Sequence, residues 1–469
     1  MSIKFGTDGW RGVIAQDFTF SNVEIVTQAI ADYIQSQKTA SCGVLIGYDT
    51  RFLADRFALR VSDVLAANGF QVSLMDRPFP TPYVSFEVKR QGLAGGVMVT
   101  ASHNPPEFCG IKFKAPFGGS ATPAIVKEIE SRLFLNPPHR LAGESAEGLA
   151  GITRVSPGNE YFAHIKALIR FDAVRRAKLK AVADSMHGTG NGLMQEILRE
   201  HGIECLTIRG NRDPLFGGVF PEPMEENLGA LRTAISESHA DVGLATDGDA
   251  DRLGVMDALG NYVNTHQILA LLTLHLVREK GWKGKVVKTF SQSVIIERIC
   301  QRLGLEYHVV PIGFKNIADL MLREDILIGG EESGGVGIKN HIPERDGILI
   351  NLLMLEAVAQ SGKSLRQMVL DMWKEFGEFH FERSDLHVPL NAGQALVKRL
   401  KEDPRSQFVG FPVDRVETLD GSKLVFQDES WILFRQSGTE PLLRIYCEAP
   451  SLEKVKRLMQ EGRRLAQPQ

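Results

Sequence analysis

Residues 43–48 read GVLIGY, a short apolar run bounded by turn-forming residues. A helical pattern follows from Ala54 to Ala67, and further apolar runs come at Gln71–Met75 and Gly95–Thr100. Short strand-like runs that alternate with longer helical patterns are typical of β/α units. This part of the chain is therefore predicted to form helices around a mostly parallel or mixed sheet.

The same alternation recurs along the chain. Strand-like runs that lead into polar or glycine-containing loops lie at Lys180–Ala183, Asp241–Ala245, Lys285–Thr289, Glu306–Val310 and Ile326–Ile328. Open α/β sheets usually bind ligands at the C-terminal ends of their strands. The pattern predicts three related α/β units, each of which offers loops at these strand ends.

The last hundred residues have a different pattern. Two apolar runs, Trp431–Arg435 and Leu442–Glu448, flank a tight loop and predict a hairpin, and a helix is expected from Leu452 to Ala466. A smaller α+β domain is therefore expected at the C-terminus. The predicted domain limits are 1–147, 148–257, 258–376 and 377–469.

Composition excludes several classes of protein. The 469 residues are 43% hydrophobic and 24% charged with a net charge of −3, which is typical of a globular protein and gives no general basic field for nucleic acid. The five cysteines are scattered and form no C-x-x-C pair, which disfavours a disulfide framework or a zinc site. The longest apolar runs, such as Ile268–Val277, are too short to span a bilayer, and no signal peptide is recognisable. We expect a cytoplasmic protein without a membrane or nucleic-acid partner.

The first loop that could carry chemistry is TASHNP, residues 100–105. It follows a strand that reads as buried, so Ser102 would project from a strand end, where a serine can act as a nucleophile. Serine, asparagine and proline are also turn formers, and an ordinary turn is the alternative for this loop taken alone.

The second loop is DGDADR, residues 247–252, which carries three carboxylates at alternate positions. Like charges this close disfavour ionisation, and a divalent cation relieves the repulsion. Hard oxygen ligands favour magnesium, calcium or manganese over zinc. An EF-hand is excluded because its required glycine and glutamate positions are occupied by Arg252 and Ala258. A solvated acidic turn is the alternative to a metal site.

Three more loops combine glycines with polar side chains: Gly330–Gly335 (GEESGG), Arg435–Pro441 (RQSGTEP) with Arg444 close by, and Gly6–Gly12 (GTDGWRG). Carboxylates suit neighbouring sugar hydroxyls, and arginines beside hydroxyls in a turn suit a phosphate. Each loop, taken alone, could equally be a structural turn.

Together, the five loops resemble the α-D-phosphohexomutase family, which includes phosphoglucomutases and phosphomannomutases. TASHNP and DGDADR are the most specific parts of the resemblance, and GEESGG and RQSGTEP add support in the matching order. The resemblance covers essentially the whole chain. It implies three similar α/β domains with mixed sheets and a smaller C-terminal α+β domain around a central cleft. It also implies a phosphosugar substrate, Mg²⁺ as cofactor and a hexose 1,6-bisphosphate as intermediate and activator. We expect a monomer or a homodimer.

The resemblance also implies the role of each matching residue. Ser102 corresponds to the phosphoserine, and the magnesium ligands correspond to Asp247, Asp249 and Asp251 together with an oxygen of phospho-Ser102. The positions around the transferring phosphate correspond to Arg11, His103, Lys112 and Arg252. Lys112 and His103 are both candidates for the general acid or base.

Substrate contacts follow from the remaining loops. Glu331 and Ser333 correspond to the residues that hold the sugar hydroxyls, and Lys315 is a further candidate for substrate contact. The hairpin loop corresponds to the binding site of the phosphate that is not transferred, with Arg435, Ser437, Gly438, Thr439 and Arg444. In residues 330–335, the sugar loop, many bacterial relatives resemble GEMSGH, whereas this chain has Glu332 and Gly335 at the methionine and histidine positions. GEES resembles the glucose-preferring enzymes, so glucose is favoured and mannose is possible.

The expected reaction interconverts hexose 1-phosphate and hexose 6-phosphate. Phospho-Ser102 donates its phosphate to the sugar, the bisphosphate turns over, and Ser102 takes back the other phosphate. Two alternatives share these motifs. A glucose 1,6-bisphosphate synthase would release the bisphosphate and recharge Ser102 from fructose 1,6-bisphosphate, and a sugar-phosphate sensor would not catalyse at all.

Overall fold

The computed structural model describes residues 3–6, 8–37, 42–141, 151–402, 406–437 and 441–467. The chain forms two compact units. The large unit comprises Met1–Gly284 and Gly313–Arg366, and the small unit comprises Lys285–Ile312 and Gln367–Gln469. The four predicted domain limits stay a prediction. Within the described residues, no helix is long and apolar enough to cross a membrane.

The first sheet of the large unit carries residues 100–105, the serine loop. Its elements in chain order are β1 (Trp10–Val13), α1 (Phe20–Ser36), β2 (Val44–Tyr48), α2 (Ala54–Ala67), β3 (Val72–Met75), α3 (Thr81–Gln91), β4 (Gly95–Val99), β5 (Phe108–Ala115), β6 (Gly119–Ser120), α4 (Pro123–Glu130) and β7 (Ile152–Val155). The strand order is β1-β5-β4-β2-β3-β7, and β6 pairs with β5. Strands β2, β3, β4 and β7 pair in parallel, whereas β1 and β5 pair antiparallel to their neighbours. The sheet is mixed, as predicted.

The second sheet carries residues 247–252, the acidic loop. Its elements are α5 (Glu160–Ala167), α6 (Phe171–Ala177), β8 (Lys180–Asp184), α7 (Leu193–Glu200), β9 (Glu204–Ile208), α8 (Gly229–Ser238), β10 (Val242–Thr246), β11 (Leu253–Asp257) and β12 (Tyr262–Val263). The strand order is β12-β11-β10-β8-β9. Because β10 and β11 pair antiparallel up to Thr246 and Leu253, residues 247–252 form the connecting loop of a hairpin.

The next stretch of chain contributes to both units. Its elements are α9 (Thr265–Arg278), β13 (Lys285–Thr289), α10 (Val294–Leu303), β14 (Tyr307–Val310), α11 (Phe314–Arg323), β15 (Ile326–Gly330), β16 (Val336–Ile338), α12 (Gly347–Ser361) and α13 (Leu365–Phe376). In the small unit β13 and β14 pair in parallel. In the large unit β15 and β16 pair antiparallel and enclose the GEESGG loop.

Helix α12 is the central helix of the large unit. Its residues from Gly347 to Val358 are buried, and the helix packs against α6, α9 and β10. The Asp346 side chain caps its N-terminus by accepting a hydrogen bond from the Leu349 amide at 2.9 Å. A Cβ at Gly347 would lie 2.2 Å from the Arg252 carbonyl oxygen, so the helix begins directly against the acidic loop. The start of α12 therefore fixes Arg345 beside that loop.

The C-terminal part of the small unit is an antiparallel sheet with two helices. Its elements are β17 (His380–His387), α14 (Leu390–Glu402), β18 (Gln407–Phe408), β19 (Phe411–Glu417), β20 (Ser422–Phe426), β21 (Trp431–Gln436), β22 (Leu442–Ala449) and α15 (Leu452–Ala466). The strand order is β17-β22-β21-β20-β19-β18. Apolar side chains from both helices share one core with the inner face of the sheet. The predicted hairpin is present as β21 and β22.

Candidate active site

The serine loop begins where β4 ends. Ser102 is buried and its backbone is left-handed, with φ at +54°. Its amide donates to Thr100 Oγ1 at 2.8 Å, and its Oγ donates to Asp247 Oδ2 at 2.8 Å. A strained backbone at a candidate nucleophile is a feature that functional sites often retain. The serine hydroxyl therefore lies directly against the acidic loop of the second sheet.

The three aspartates of the acidic loop converge. All three are buried, and one carboxylate oxygen of each lies within 4.8 Å of the others. Asp247 Oδ1 accepts a hydrogen bond from the Arg252 amide at 3.0 Å, and Asp249 Oδ2 accepts one from Thr81 Oγ1 at 2.6 Å. These contacts fix the directions of the carboxylates.

Two oxygens of this cluster indicate a cation. Asp249 Oδ1 and Asp251 Oδ1 are buried and accept no hydrogen bond from any described residue. A buried charged oxygen without a partner is costly, and a metal ion is one of the few groups that compensate it. Carboxylate and hydroxyl oxygens are the ligands that hard divalent cations prefer. The cluster of Asp247, Asp249 and Asp251 can thus hold a metal ion beside Ser102.

Lys112 lies against the same cluster on β5. Its Nζ is 2.8 Å from Asp249, 3.0 Å from Asp251 and 2.9 Å from Asp8, and its side chain is buried. Burial alone would lower the pKa of Lys112, but the carboxylates of Asp249, Asp251 and Asp8 together raise it. Lys112 therefore supplies a fixed positive charge at the site.

The Asp247 carboxyl has a contrasting environment. Burial and the neighbouring carboxylates of Asp251 and Asp249 raise the pKa of Asp247 well above its usual range. For Asp249, burial also raises the pKa, but Lys112 reverses this effect and holds the pKa below its usual value. Positive charge among the three carboxylates would favour ionisation of all of them.

Arg345 is a site residue that the sequence prediction did not include. Its guanidinium pairs with Asp251 at 2.7 Å and with Asp8, and it lies 3.6 Å from Glu331. It links the N-terminal loop, the acidic loop and the sugar loop. The Asp-Gly pair before the apolar run of α12 was the available signal, because it marks a helix start that places Arg345 at a loop end.

A cavity in the large unit brings several predicted residues together. Its lining residues are Asp8, Arg11, His103, Ser120, Arg252, Gly313, Phe314, Lys315, Glu331 and Arg345. The positive charges among them outnumber the carboxylates, which suits a dianionic phosphate. The predicted residues Arg11, His103, Arg252, Lys315 and Glu331 therefore share one cavity.

The sugar loop contacts the hairpin that carries the acidic loop. The Leu253 amide donates to the Gly334 carbonyl at 3.1 Å, and the Glu331 amide donates to the Gly335 carbonyl at 2.9 Å. Glu331 is buried, and this burial raises its pKa to about 7 against the opposing effect of Arg345. Ser333 is half-buried on the same loop.

Gly335 is required by the packing of Arg345. A Cβ at position 335 would lie 2.4 Å from Arg345 Cδ and 3.1 Å from a Glu331 carboxylate oxygen. The aliphatic part of Arg345 thus occupies the space that a side chain at position 335 would need.

The residues predicted to bind the phosphate that is not transferred belong to the small unit. Arg435 and Arg444 are opposite each other on β21 and β22, and the Ser437 amide donates to the Leu442 carbonyl at 2.8 Å. Arg435 Nε donates to Asp420 at 2.9 Å, and Arg444 Nε donates to Asp385 at 3.3 Å. The structure therefore brings Arg435, Ser437 and Arg444 onto one hairpin. The predicted residues Gly438 and Thr439 lie outside the described residues.

Comparison with known protein families gives four matches in chain order. They are phosphoglucomutase/phosphomannomutase alpha/beta/alpha domain I at residues 2–137, domain II at 159–260, domain III at 264–376, and the phosphoglucomutase/phosphomannomutase C-terminal domain at 390–465. These matches confirm the predicted fold class of three α/β domains followed by a different C-terminal domain.

Individual relatives match over almost the full chain. A Thermococcus kodakarensis protein named phosphoglucomutase/phosphomannomutase is 30% identical over 99% of this chain and 98% of its own. A Pyrococcus abyssi protein named as a probable phosphoglucosamine mutase is 32% identical, with the same coverage of 99% and 98%. A crystal structure of a Thermus thermophilus protein described as a phosphomannomutase matches with a TM-score of 0.87 and 38% identity over 99% of both chains.

The names of these relatives differ in the sugar but agree in the reaction class. All describe mutases that act on phosphorylated hexoses, and the family matches extend from the N-terminal to the C-terminal domain. The chain therefore belongs to the phosphoglucomutase/phosphomannomutase family of α-D-phosphohexomutases, which are intramolecular phosphotransferases.

Proposed function

We propose that this chain interconverts hexose 1-phosphate and hexose 6-phosphate through phospho-Ser102 and a hexose 1,6-bisphosphate. The observation that carries the proposal is the 2.8 Å contact between Ser102 Oγ and Asp247 within a buried cluster of three aspartates. A nucleophile that lies against a candidate metal cluster is the arrangement that phosphoryl transfer needs, because this reaction depends on positioning and charge stabilisation. Magnesium is the proposed ion, held by Asp247, Asp249, Asp251 and Ser102.

Each half-reaction moves one phosphoryl group. In the first, a hydroxyl oxygen of the sugar attacks the phosphorus of phospho-Ser102, and the bond from phosphorus to Ser102 Oγ breaks. The hydroxyl proton passes to His103. Lys112 is not a base for this step, because the carboxylates of Asp249, Asp251 and Asp8 raise its pKa and keep it protonated. In the second, the unprotonated Ser102 Oγ attacks the other phosphorus of the bisphosphate, and the bond from that phosphorus to the sugar oxygen breaks. The leaving sugar oxygen takes back the proton that the base received in the first half-reaction. When bound, magnesium would neutralise part of the charge on the transferring group.

The surrounding charges have separate roles in this proposal. Arg11, Arg252 and Lys112 stabilise the transferring phosphoryl group, and Glu331 and Ser333 hold the sugar hydroxyls. Lys315 contacts the substrate from the same cavity. The hairpin of the small unit, with Arg435, Ser437, Gly438, Thr439 and Arg444, binds the phosphate that is not transferred.

Glucose is the proposed preferred sugar, and mannose is a possible second substrate. Two features of the sugar loop support glucose. Glu332 is buried next to Glu331, and Gly335 allows Arg345 to reach the carboxylates of the cavity wall. Both positions differ from the GEMSGH loop, so the sugar edge meets a different set of polar groups.

A ³¹P NMR time course tests the proposed function. The sample would hold the purified protein, magnesium, glucose 1-phosphate and fructose 1,6-bisphosphate. Growth of glucose 6-phosphate at the expense of glucose 1-phosphate, with nearly constant total bisphosphate, is the expected result. Joint accumulation of glucose 1,6-bisphosphate and fructose 6-phosphate would instead identify a bisphosphate synthase. Repeating the course with mannose 1-phosphate measures the sugar preference.

The packing at Gly335 gives a first prediction. Gly335→Ala should lower kcat/KM for glucose 1-phosphate by about 10- to 100-fold, because the added Cβ forces Arg345 to move. This movement would weaken the pairs of Arg345 with Asp8 and Asp251. Steady-state kinetics with coupled detection of glucose 6-phosphate measures the change.

Gly229→Ala is the matched control for this substitution. Gly229 is the first residue of α8, and a Cβ there would meet no atom within 4 Å. Its kcat/KM should equal that of the wild type. An unchanged kcat/KM in Gly335→Ala would show that the position of Arg345 does not matter for turnover.

The pKa of Glu331 gives a second prediction. Because burial raises this pKa to about 7, the carboxylate forms only as the pH rises through that value. A carboxylate accepts hydrogen bonds from hydroxyls at both oxygens, whereas the acid does not. The KM for glucose 1-phosphate should therefore fall as the pH rises towards 7, by up to about tenfold per pH unit below that pKa.

Glu331→Gln separates this effect from the titration of the substrate phosphate. The amide has a similar size and does not ionise, so only the substrate phosphate should titrate in its KM profile. Initial rates over a pH series in one buffer mixture give both profiles. Profiles of identical shape would exclude Glu331 as the titrating group.

A further inference from the structure

Arg51, just beyond the end of β2, lies under the serine loop. Its guanidinium is completely buried and donates to four backbone carbonyl oxygens. The acceptors are Ser102 at 2.7 Å, Asn104 at 2.6 Å, Pro105 at 2.7 Å and Phe108 at 3.0 Å. All four lie in the segment from the serine to the start of β5. One side chain thus binds four of the seven carbonyl groups of residues 102–108.

Asp49 completes a closed network around the loop. Its Oδ2 accepts from Arg51 Nε at 3.1 Å and from Thr100 Oγ1 at 2.6 Å. Thr100 Oγ1 in turn accepts from the Ser102 amide at 2.8 Å. Because both the amide and the carbonyl of Ser102 are tied to this pair, the peptide planes on each side of the serine are fixed.

The segment that connects β9 of the second sheet to α8 holds the other side of Arg51. Arg212 donates to the Thr50 carbonyl at 3.2 Å and to the Arg51 carbonyl at 3.3 Å. The Phe216 ring lies 4.9 Å from the Arg51 guanidinium, within the range of a cation–π contact. The second sheet also carries the acidic loop. Arg51 is therefore held by the same part of the chain that Ser102 Oγ must face.

We propose that Arg51 is a positioning residue, which holds the left-handed backbone of Ser102 so that Oγ faces Asp247. This inference rests on the proposed role of Ser102 in phosphoryl transfer. A left-handed serine is intrinsically unfavourable and persists only where its surroundings determine it. Planar, multidentate donation to several carbonyls is a property of arginine that lysine does not share.

The test compares Arg51→Ala and Arg51→Lys with the wild type. Single-turnover phosphorylation of Ser102 by glucose 1,6-bisphosphate, followed by intact-protein mass spectrometry, should slow by about 100-fold in both variants, because small misplacements of a reacting group cost this much. We expect kcat to fall in parallel, while KM stays within about threefold of the wild type. Guanidinium ion at subdenaturing concentration should restore part of the rate in Arg51→Ala and none in Arg51→Lys.

Arg60→Lys is the matched control. Arg60 pairs with Glu24 through a partly exposed ion pair between α2 and α1 and has no contact with the serine loop among its recorded partners. This variant should phosphorylate Ser102 at the wild-type rate. Wild-type phosphorylation rates in Arg51→Lys would overturn the proposal.

Hydrogen exchange gives a readout that does not depend on turnover. Amides in residues 100–108 should exchange faster in Arg51→Lys than in Arg60→Lys, while the core strand β2 keeps its protection. Unchanged exchange in this segment would also overturn the proposal. If the wild type never becomes phosphorylated, the proposed function fails, and the exchange comparison still decides whether Arg51 fixes the loop.

Discussion

Ser102→Ala should abolish interconversion of glucose 1-phosphate and glucose 6-phosphate, with a loss in kcat of at least about 10⁴-fold. The substitution removes the oxygen that accepts and donates the phosphoryl group, and no other described hydroxyl takes its place against Asp247 in the recorded contacts. Binding of glucose 1-phosphate should persist, because the cationic and carboxylate groups of the cavity remain. Coupled kinetics and isothermal titration calorimetry measure the two quantities.

A buried serine elsewhere in the same domain controls for the loss of one oxygen atom. Ser62 in α2 is buried and donates to the Ala58 carbonyl at 2.9 Å, so Ser62→Ala makes the same truncation away from the cavity. It should keep wild-type turnover. Turnover by Ser102→Ala at a rate near that of the wild type would contradict the covalent route, and retained binding with no turnover would exclude the sensor alternative.

Local sequence patterns predicted the secondary structure well. Helix α2 spans Ala54–Ala67 and helix α15 spans Leu452–Ala466, as the helical periodicity indicates, and the run at residues 43–48 forms β2 from Val44 onward. Such patterns work because the spacing of apolar residues reports directly which face of an element is buried. The strand order β1-β5-β4-β2-β3-β7 was not predictable, because it depends on contacts between segments that are far apart in the chain.

The candidate active site was likewise predictable in its local features and not in its long-range contacts. The motifs indicated which loops matter, since glycines and polar residues at strand ends are local features. They did not show that Lys112 contacts Asp249 and Asp251, which lie 137 and 139 positions further along the chain. Arg345 and Arg51 were missed for this reason. The Asp-Gly pair that starts α12 marks the position of Arg345 in the chain but not its partners, and the importance of either arginine appears only when distant carbonyls and carboxylates converge on it.

Asp249→Asn should lower kcat by about 10³-fold and weaken the response of the protein to magnesium. Asp249 Oδ2 accepts from Lys112 and Thr81, whereas its Oδ1 has no donor among the described residues and is available to a cation. Asparagine removes one negative charge and places an amide nitrogen at one of these two positions. Either orientation harms the site, because the nitrogen meets the Lys112 ammonium or the cation. Excess chelator should abolish turnover of the wild type.

Thermal unfolding separates metal binding from catalysis. A cation that binds only the folded protein raises the unfolding temperature, so the wild type should gain stability when magnesium is added, and Asp249→Asn should gain much less. Asp241→Asn is the control, since Asp241 is an exposed carboxylate that precedes β10 and accepts from the Lys180 amide at 2.8 Å. It should respond to magnesium like the wild type. Full turnover of the wild type in excess chelator would refute a catalytic metal at Asp247, Asp249 and Asp251. The unpartnered oxygens of Asp249 and Asp251 would then need another explanation.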